Sequence, residues 1–307
     1  MTQEEPSLED VRAQLTRNTN WGRWGEDDER GAVNMIDDRK RVEAAALVRS
    51  GRTISLSRDF PKNPAPNNLR PAQHFLRMVE MEHGGYLADY LGVDCHGTAT
   101  THLDALCHVW NDGVGWNGRS MKDTLTPAGV TWGGIEHWRD GISTRAVLFD
   151  VPAFRGTPHV TVEEPVHGEE LRAIADKDQL DVRPGDALII YSGRAAYEAE
   201  HGPWGAGQPE RPMPGIHASC LWYLRETDCA VVVWDMADAR PQSYDADLAF
   251  TVHGAIAAYG LAVVDNAVLE PLAAACAGEQ RHEFMLTLAP LPTVGGTGSP
   301  VNPIALL

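Results

Sequence analysis

Three short apolar runs constrain this chain more than anything else in it: 145–151 (RAVLFDV), 187–193 (ALIIYSG) and 229–236 (CAVVVWDM). Each is too short for an ordinary helix and rich in β-branched residues, so each reads as a buried strand. Helical patterns separate them, one beginning near Gly168 with Glu169 and Glu170 in its first turn, another over 216–227. Strands alternating with helices from 145 to 277 imply an α/β domain with an at least partly parallel sheet. No linker of shifted composition interrupts the chain. The expectation is one compact domain over 20–307, a mixed, partly parallel β-sheet with flanking helices, preceded by an N-terminal helical extension at 1–19.

Smaller signals fill in the order. Ser7 is placed to cap a helix over 7–16, and 38–49 is an amphipathic helix closed by Gly51. Strands are expected at 53–60 and 75–82, a turn at Gly84–Gly85, and a further strand over 86–97. A short helix is expected at 132–140 and another around His253. A strand then leads to Asp265, a helix covers 267–277 and a last strand covers 282–291. The Gly/Pro-rich tail at 294–306 shows no pattern of its own.

The chemistry gathers in 96–108, where three histidines and an aspartate fall within thirteen residues. Residues two apart in an extended segment point to the same side, so His102 and Asp104 can aim at one point. His108 follows Asp104 by four and shares its face if the chain turns helical. Imidazole and carboxylate at close range are first-row metal ligands, although the same residue types also occur in ordinary polar turns. His253 and Asp265 form a second pair, too far apart for one helix face, which a helix running into a strand could bring together.

Composition removes several function classes. A formal net charge of −17 argues against nucleic acid and anionic membrane surfaces as partners. The five cysteines make no CxxC pair and their number is odd, which fits free thiols in a reducing cytoplasm. The N-terminus lacks the pattern of a signal peptide, and no run approaches the eighteen apolar residues of a membrane span. The GGTGSP segment lacks the GK[ST] of a phosphate loop, and no G-x-S-x-G elbow is present. Trp21 and Trp24, three apart in a glycine-rich and charged stretch, either plug a surface groove or form an aromatic wall for a planar substrate.

Taken together, the two His/Asp groups make the chain resemble the cyclase family, metal-dependent hydrolases that include bacterial kynurenine formamidase and isatin hydrolase. The family motif is H-x-G-T-H-x-D-x-P-x-H, and this chain carries Thr98, His102, Asp104 and His108 at the matching positions. A later family element, a His followed twelve residues on by an acidic residue and Asn, matches His253, Asp265 and Asn266, with Asp265 where members usually carry Glu. Ser192-Gly193-Arg194 and Gly298-Ser299-Pro300 are similar to further landmarks, and the resemblance runs from about Asn20 to the C-terminus.

The resemblance implies a cyclase-like swivelling β/β/α fold and one divalent ion, zinc or manganese, held by His102, Asp104, His253 and Asp265. His108 would be the general acid/base. The substrate would be a small molecule, an aromatic one if Trp21 and Trp24 contact it, and His96 and His217 are further candidates for substrate contact. Members are usually homodimers or homotetramers. The implied reaction is hydrolysis of an amide, formamide or cyclic imide/lactam C–N bond. The alternatives are ester or lactone hydrolysis, or a metal-free binding, cyclisation or lyase protein. That last alternative arises because the family's first ligating histidine falls on Thr98; His96, two residues earlier, replaces it only if the backbone bulges. Arg194 could anchor a substrate carboxylate, but pairing with one of the chain's own acids is the expected role.

Overall fold

A computed structural model of the chain describes residues 5–207 and 211–307; the first residues of the expected N-terminal extension lie outside that range. Its centre is a nine-stranded mixed sheet. Across the sheet the strands run Thr53–Ser55, Ile304–Leu306, Glu283–Leu288, Ile142–Asp150, Ala187–Tyr191, Val231–Trp234, Ala262–Asp265, His102–Asp104 and Gly298–Pro300. The three apolar runs and Ala262–Asp265 form a parallel block of four, and every other pairing is antiparallel. A block of this kind is covered on both faces by its crossover helices. Val231, Val232 and Val233 and Leu188, Ile189 and Ile190 are accordingly fully buried. The single α/β domain with a mixed sheet and flanking helices is therefore the fold that the alternating pattern implies.

The N-terminal helix Leu8–Thr16 starts at Ser7, whose hydroxyl accepts from the Asp10 amide while the Asp10 carboxylate accepts from the Ser7 amide. Val11 and Leu15 of this helix are buried in the same apolar cluster as the sheet, so the helix packs as part of the body. The expected 38–49 helix is shorter, Asp38–Ala45, capped by Asp37. It carries Lys40 to the buried Asp186 carboxylate, which also pairs with Arg145.

Two expectations change. The segments expected as strands at 75–82 and 86–97 do not join the main sheet. They pair with each other as Gln73–Met81 and Gly84–Gly92, a ribbon with nearly every side chain exposed. The turn between them is Glu82–His83, and Gly84 already pairs with Met81. The tail, which shows no pattern of its own, supplies two three-residue strands, one at the sheet's end beside His102–Asp104 and one beside Thr53–Ser55.

Candidate metal centre

The strand His102–Asp104 lies between Ala262–Asp265 and Gly298–Pro300, antiparallel to both. His102 is directly opposite Asp265 and Asp104 opposite Val263. The pleat sends Leu103 into the core and turns His102 and Asp104 to the other side. The extended alternative for this stretch is thus the one adopted. His108 then arrives through a tight turn, its amide donating to the Ala105 carbonyl at 2.9 Å, rather than on a helix.

His253 comes from a short 3-10 turn, Val252–Gly254. Asp238 anchors that turn: its carboxylate accepts from the Val252 amide at 2.6 Å and from the Thr251 hydroxyl, and it holds the His253 Nδ1. His253 Nε2 is therefore the nitrogen left to face inward, 3.2 Å from Asp265 Oδ2 and 3.9 Å from Asp104 Oδ2. The Thr100 carbonyl does the same for His102. It accepts from Nδ1 at 2.8 Å and leaves Nε2 3.4 Å from Asp104 and 3.8 Å from Asp265. A ring nitrogen fixed by hydrogen bonding to a carbonyl or carboxylate is how ligand histidines are oriented. The Trp234 indole N–H holds the other oxygen of Asp265.

His96 joins this group. Its Nδ1 lies 3.2 Å from Asp104 Oδ1, and its ring stacks on His108 at 3.9 Å between centroids and 6° between planes. The loop bulges to bring it there. Gly97 has φ +120°, and the Asn266 amide donates to the carbonyls of Gly97 at 2.7 Å and Thr100 at 2.9 Å. Arg194, fully buried, donates to the Thr98 carbonyl at 2.5 Å and to Asn266 Oδ1 at 2.7 Å, and it pairs with Glu198 at 2.8 Å. The structure therefore gives Arg194 the ion pair expected of it. Thr98 turns its hydroxyl to the Asn67 carbonyl at 3.2 Å.

Asp104 is the shared member of two sets of close ligand atoms, His96–His102–Asp104 and Asp104–His253–Asp265. It is fully buried, and its Oδ2 has no hydrogen-bond partner among the described residues. A buried carboxylate oxygen without a donor is costly, and a cation between Asp104, Asp265 and the three inward-facing imidazole nitrogens would satisfy it. In this chain the residues therefore fit a divalent ion with mixed nitrogen and oxygen ligation.

The electrostatics follow from the same crowding. Burial raises the Asp104 carboxyl, but the His108 and His102 imidazoles outweigh it and keep it well below its ordinary range. Burial would likewise depress His96 and His102, yet Asp104 raises them to about 10 and about 9. For His108, burial wins over the Asp104 charge, helped by the other imidazoles, and its pKa falls to about 4.

A cavity of about 180 Å³ opens on this cluster. Trp204, Met213 and Phe250 provide apolar wall, and Arg240 and His108 provide polar wall. Trp21 and Trp24 do not line it. The Trp21 indole donates to the Ala257 carbonyl at 2.7 Å, and Trp24 packs on Trp116 at 6.1 Å, so both are used in packing. His217 lies elsewhere, beside His167 in a larger cavity of about 1160 Å³ that shares no lining residue with the first. Sequence reasoning missed Asp238 and Trp234, which orient ligands without belonging to the motif; they lie 15 residues before His253 and 31 before Asp265, so neither carries a local signal.

A family model described as "Putative cyclase" matches residues 39–239. A solved structure described as a novel cyclase is 28% identical, with TM-score 0.84, over 99% of this chain and 100% of its own. Isatin hydrolase A from Ralstonia solanacearum is 18% identical with TM-score 0.54, over 86% of this chain and 95% of its own. An isatin hydrolase bound to the product analogue thioisatinate is 14% identical with TM-score 0.55, over 86% and 94%. Among curated proteins none matches.

Proposed function

The chain belongs to the cyclase family, and from that premise we propose that it is a metal-dependent hydrolase of a small amide, formamide or cyclic imide. The observation that carries this reading is Asp104, fully buried with an unpartnered oxygen among inward-facing imidazoles. His102, Asp104, His253 and Asp265 would hold the ion, with His96 as a further nitrogen in place of the motif histidine that Thr98 replaces. When bound, a divalent ion supplies a Lewis acid that polarises a carbonyl and makes water acidic. Zinc and manganese both suit this ligand set.

The chain's own groups do the rest. His108 projects into the cavity with Nε2 3.7 Å from Asp104 Oδ1. Its imidazole takes the proton from the attacking water as oxygen bonds to the carbonyl carbon. It then gives that proton to the departing nitrogen as the C–N bond breaks. Stacking on His96 holds its ring in the orientation this relay needs. Trp204 and Phe250 give the cavity an apolar wall that suits a flat substrate, and Arg240 would pair with the carboxylate that hydrolysis leaves. His108→Asn is expected to lower kcat by about 10²–10⁴-fold while leaving metal content unchanged. Turnover close to wild type in that variant would remove His108 from the reaction.

The same reading takes a second copy of the chain as the partner, in a homodimer or homotetramer. Its support is the ribbon Gln73–Gly92, which carries Leu76, Met78, Leu87 and Leu91 on one face and Phe75, Tyr86 and Tyr90 on the other, all exposed. A free two-stranded ribbon is marginal in water. We assign the protein to the cytoplasm on its five unpaired cysteines. No helix among the described residues is long and apolar enough to cross a membrane.

A further inference from the structure

We propose that His159, Glu200 and His201 form a second cation site, for a divalent transition-metal ion, that clamps the loop after the Val151–Arg155 helix to the end of the Arg194–His201 helix. The ligand atoms of these three side chains all lie within 4.8 Å of one another, and none of the three belongs to the His102–Asp104 cluster.

The loop carrying His159 is fixed before any ion arrives. The Val160 amide donates to the Ser192 carbonyl at 2.9 Å. At Gly193 a Cβ would stand 2.4 Å from the Pro158 carbonyl oxygen, so only glycine permits this approach. His159 is 7% exposed, and its ring meets Tyr197 and His201 edge-on at 5.4 and 5.5 Å.

The hydrogen-bond polarity of His159 is the informative detail. Its Nδ1 lies 3.0 Å from the Val160 carbonyl, which can only accept, so Nδ1 carries the proton. In the neutral ring, Nε2 is then a bare lone pair, directed at the Glu200 carboxylate 3.2 Å away. A cation held between this lone pair and the carboxylate, whether a proton or a metal ion, satisfies both. His201 completes the group, its Nε2 3.6 Å from the other Glu200 oxygen. A buried imidazole whose second nitrogen is tied to a main-chain carbonyl is the arrangement that orients metal-binding histidines. Two imidazoles and one carboxylate favour zinc, cobalt or nickel over magnesium or calcium. Glu200 and His201 are exposed at the helix end, so they can close on an ion by rotation, and remaining positions open to water.

The test uses the full chain, stripped with chelator and dialysed against Zn²⁺ or Co²⁺, with bound metal counted by elemental analysis. The double variant Glu200→Gln/His201→Asn changes only exposed side chains, and His159→Gln gives an independent check on the buried ligand. Both are expected to bind one ion fewer per chain than wild type and to lose part of the metal-dependent rise in Tm. The Asp104→Asn variant is expected to keep this ion. An unchanged ion count in the double variant would mean that a proton alone bridges His159 and Glu200, and would overturn the proposal.

Discussion

Asp238 decides which nitrogen His253 offers to the cluster, and the consequence can be measured. Asp238→Asn keeps the shape and some of the hydrogen bonds to the Thr251–His253 turn. It removes the charge that fixes Nδ1 as the donor. Metal affinity is expected to fall about 10–100-fold, read by competition with a chromogenic chelator, while the folded circular dichroism spectrum is retained. Undiminished affinity would show that the turn alone orients His253. His102, Asp104 and His108 were legible in the sequence because residues two apart share one side of a strand, the conformation adopted, and the turn after Asp104 brings His108 back. His96 was legible only conditionally: its entry depends on a bulge at Gly97 that Asn266 and Arg194 stabilise from distant parts of the chain. Trp21 and Trp24 left two readings open, since a loop aromatic reads alike whether it faces a substrate or packs against Ala257 and Trp116.

The parallel strands were legible as elements because burial on both faces forces continuous apolar runs. The three-residue strand Gly298–Pro300 was not, since its pairing with His102–Asp104 is specified by the partner strand and the turn before it. The ribbon Gln73–Gly92 was legible as two strands, but nothing in its alternation says that it leaves the main sheet. One ionic contact ties the elements together. Asp186, fully buried at the start of Ala187–Tyr191, meets Arg145 from the adjacent strand and Lys40 from the Asp38–Ala45 helix. Asp186→Ala leaves the buried Lys40 without its anion and Arg145 with Glu283 alone. Removing one partner of a buried pair costs about 3–5 kcal/mol, so urea denaturation is expected to show a loss of that order. A loss below about 1 kcal/mol would indicate that water already reaches the group.

At the scale of the whole molecule, the exposed ribbon and the small cavity both bear on assembly and substrate. Met78→Glu/Leu87→Glu places two like charges opposite each other on one face of the ribbon. In analytical ultracentrifugation it is expected to shift an oligomer to monomer, and an unchanged sedimentation coefficient would remove the ribbon from the interface. A cavity of about 180 Å³ limits what one chain can enclose to a small molecule. Hydrolysis in this reading depends on the ion that Asp104 and its imidazoles would hold. The most direct test of that dependence measures bound metal and hydrolysis of a panel of small amides, formamides and cyclic imides on the same sample, before and after chelation. Stripped protein is expected to lose hydrolysis and regain it with Zn²⁺ or Mn²⁺, and Asp104→Asn is expected neither to retain the ion nor to regain activity. Full hydrolysis by metal-free protein would contradict that dependence.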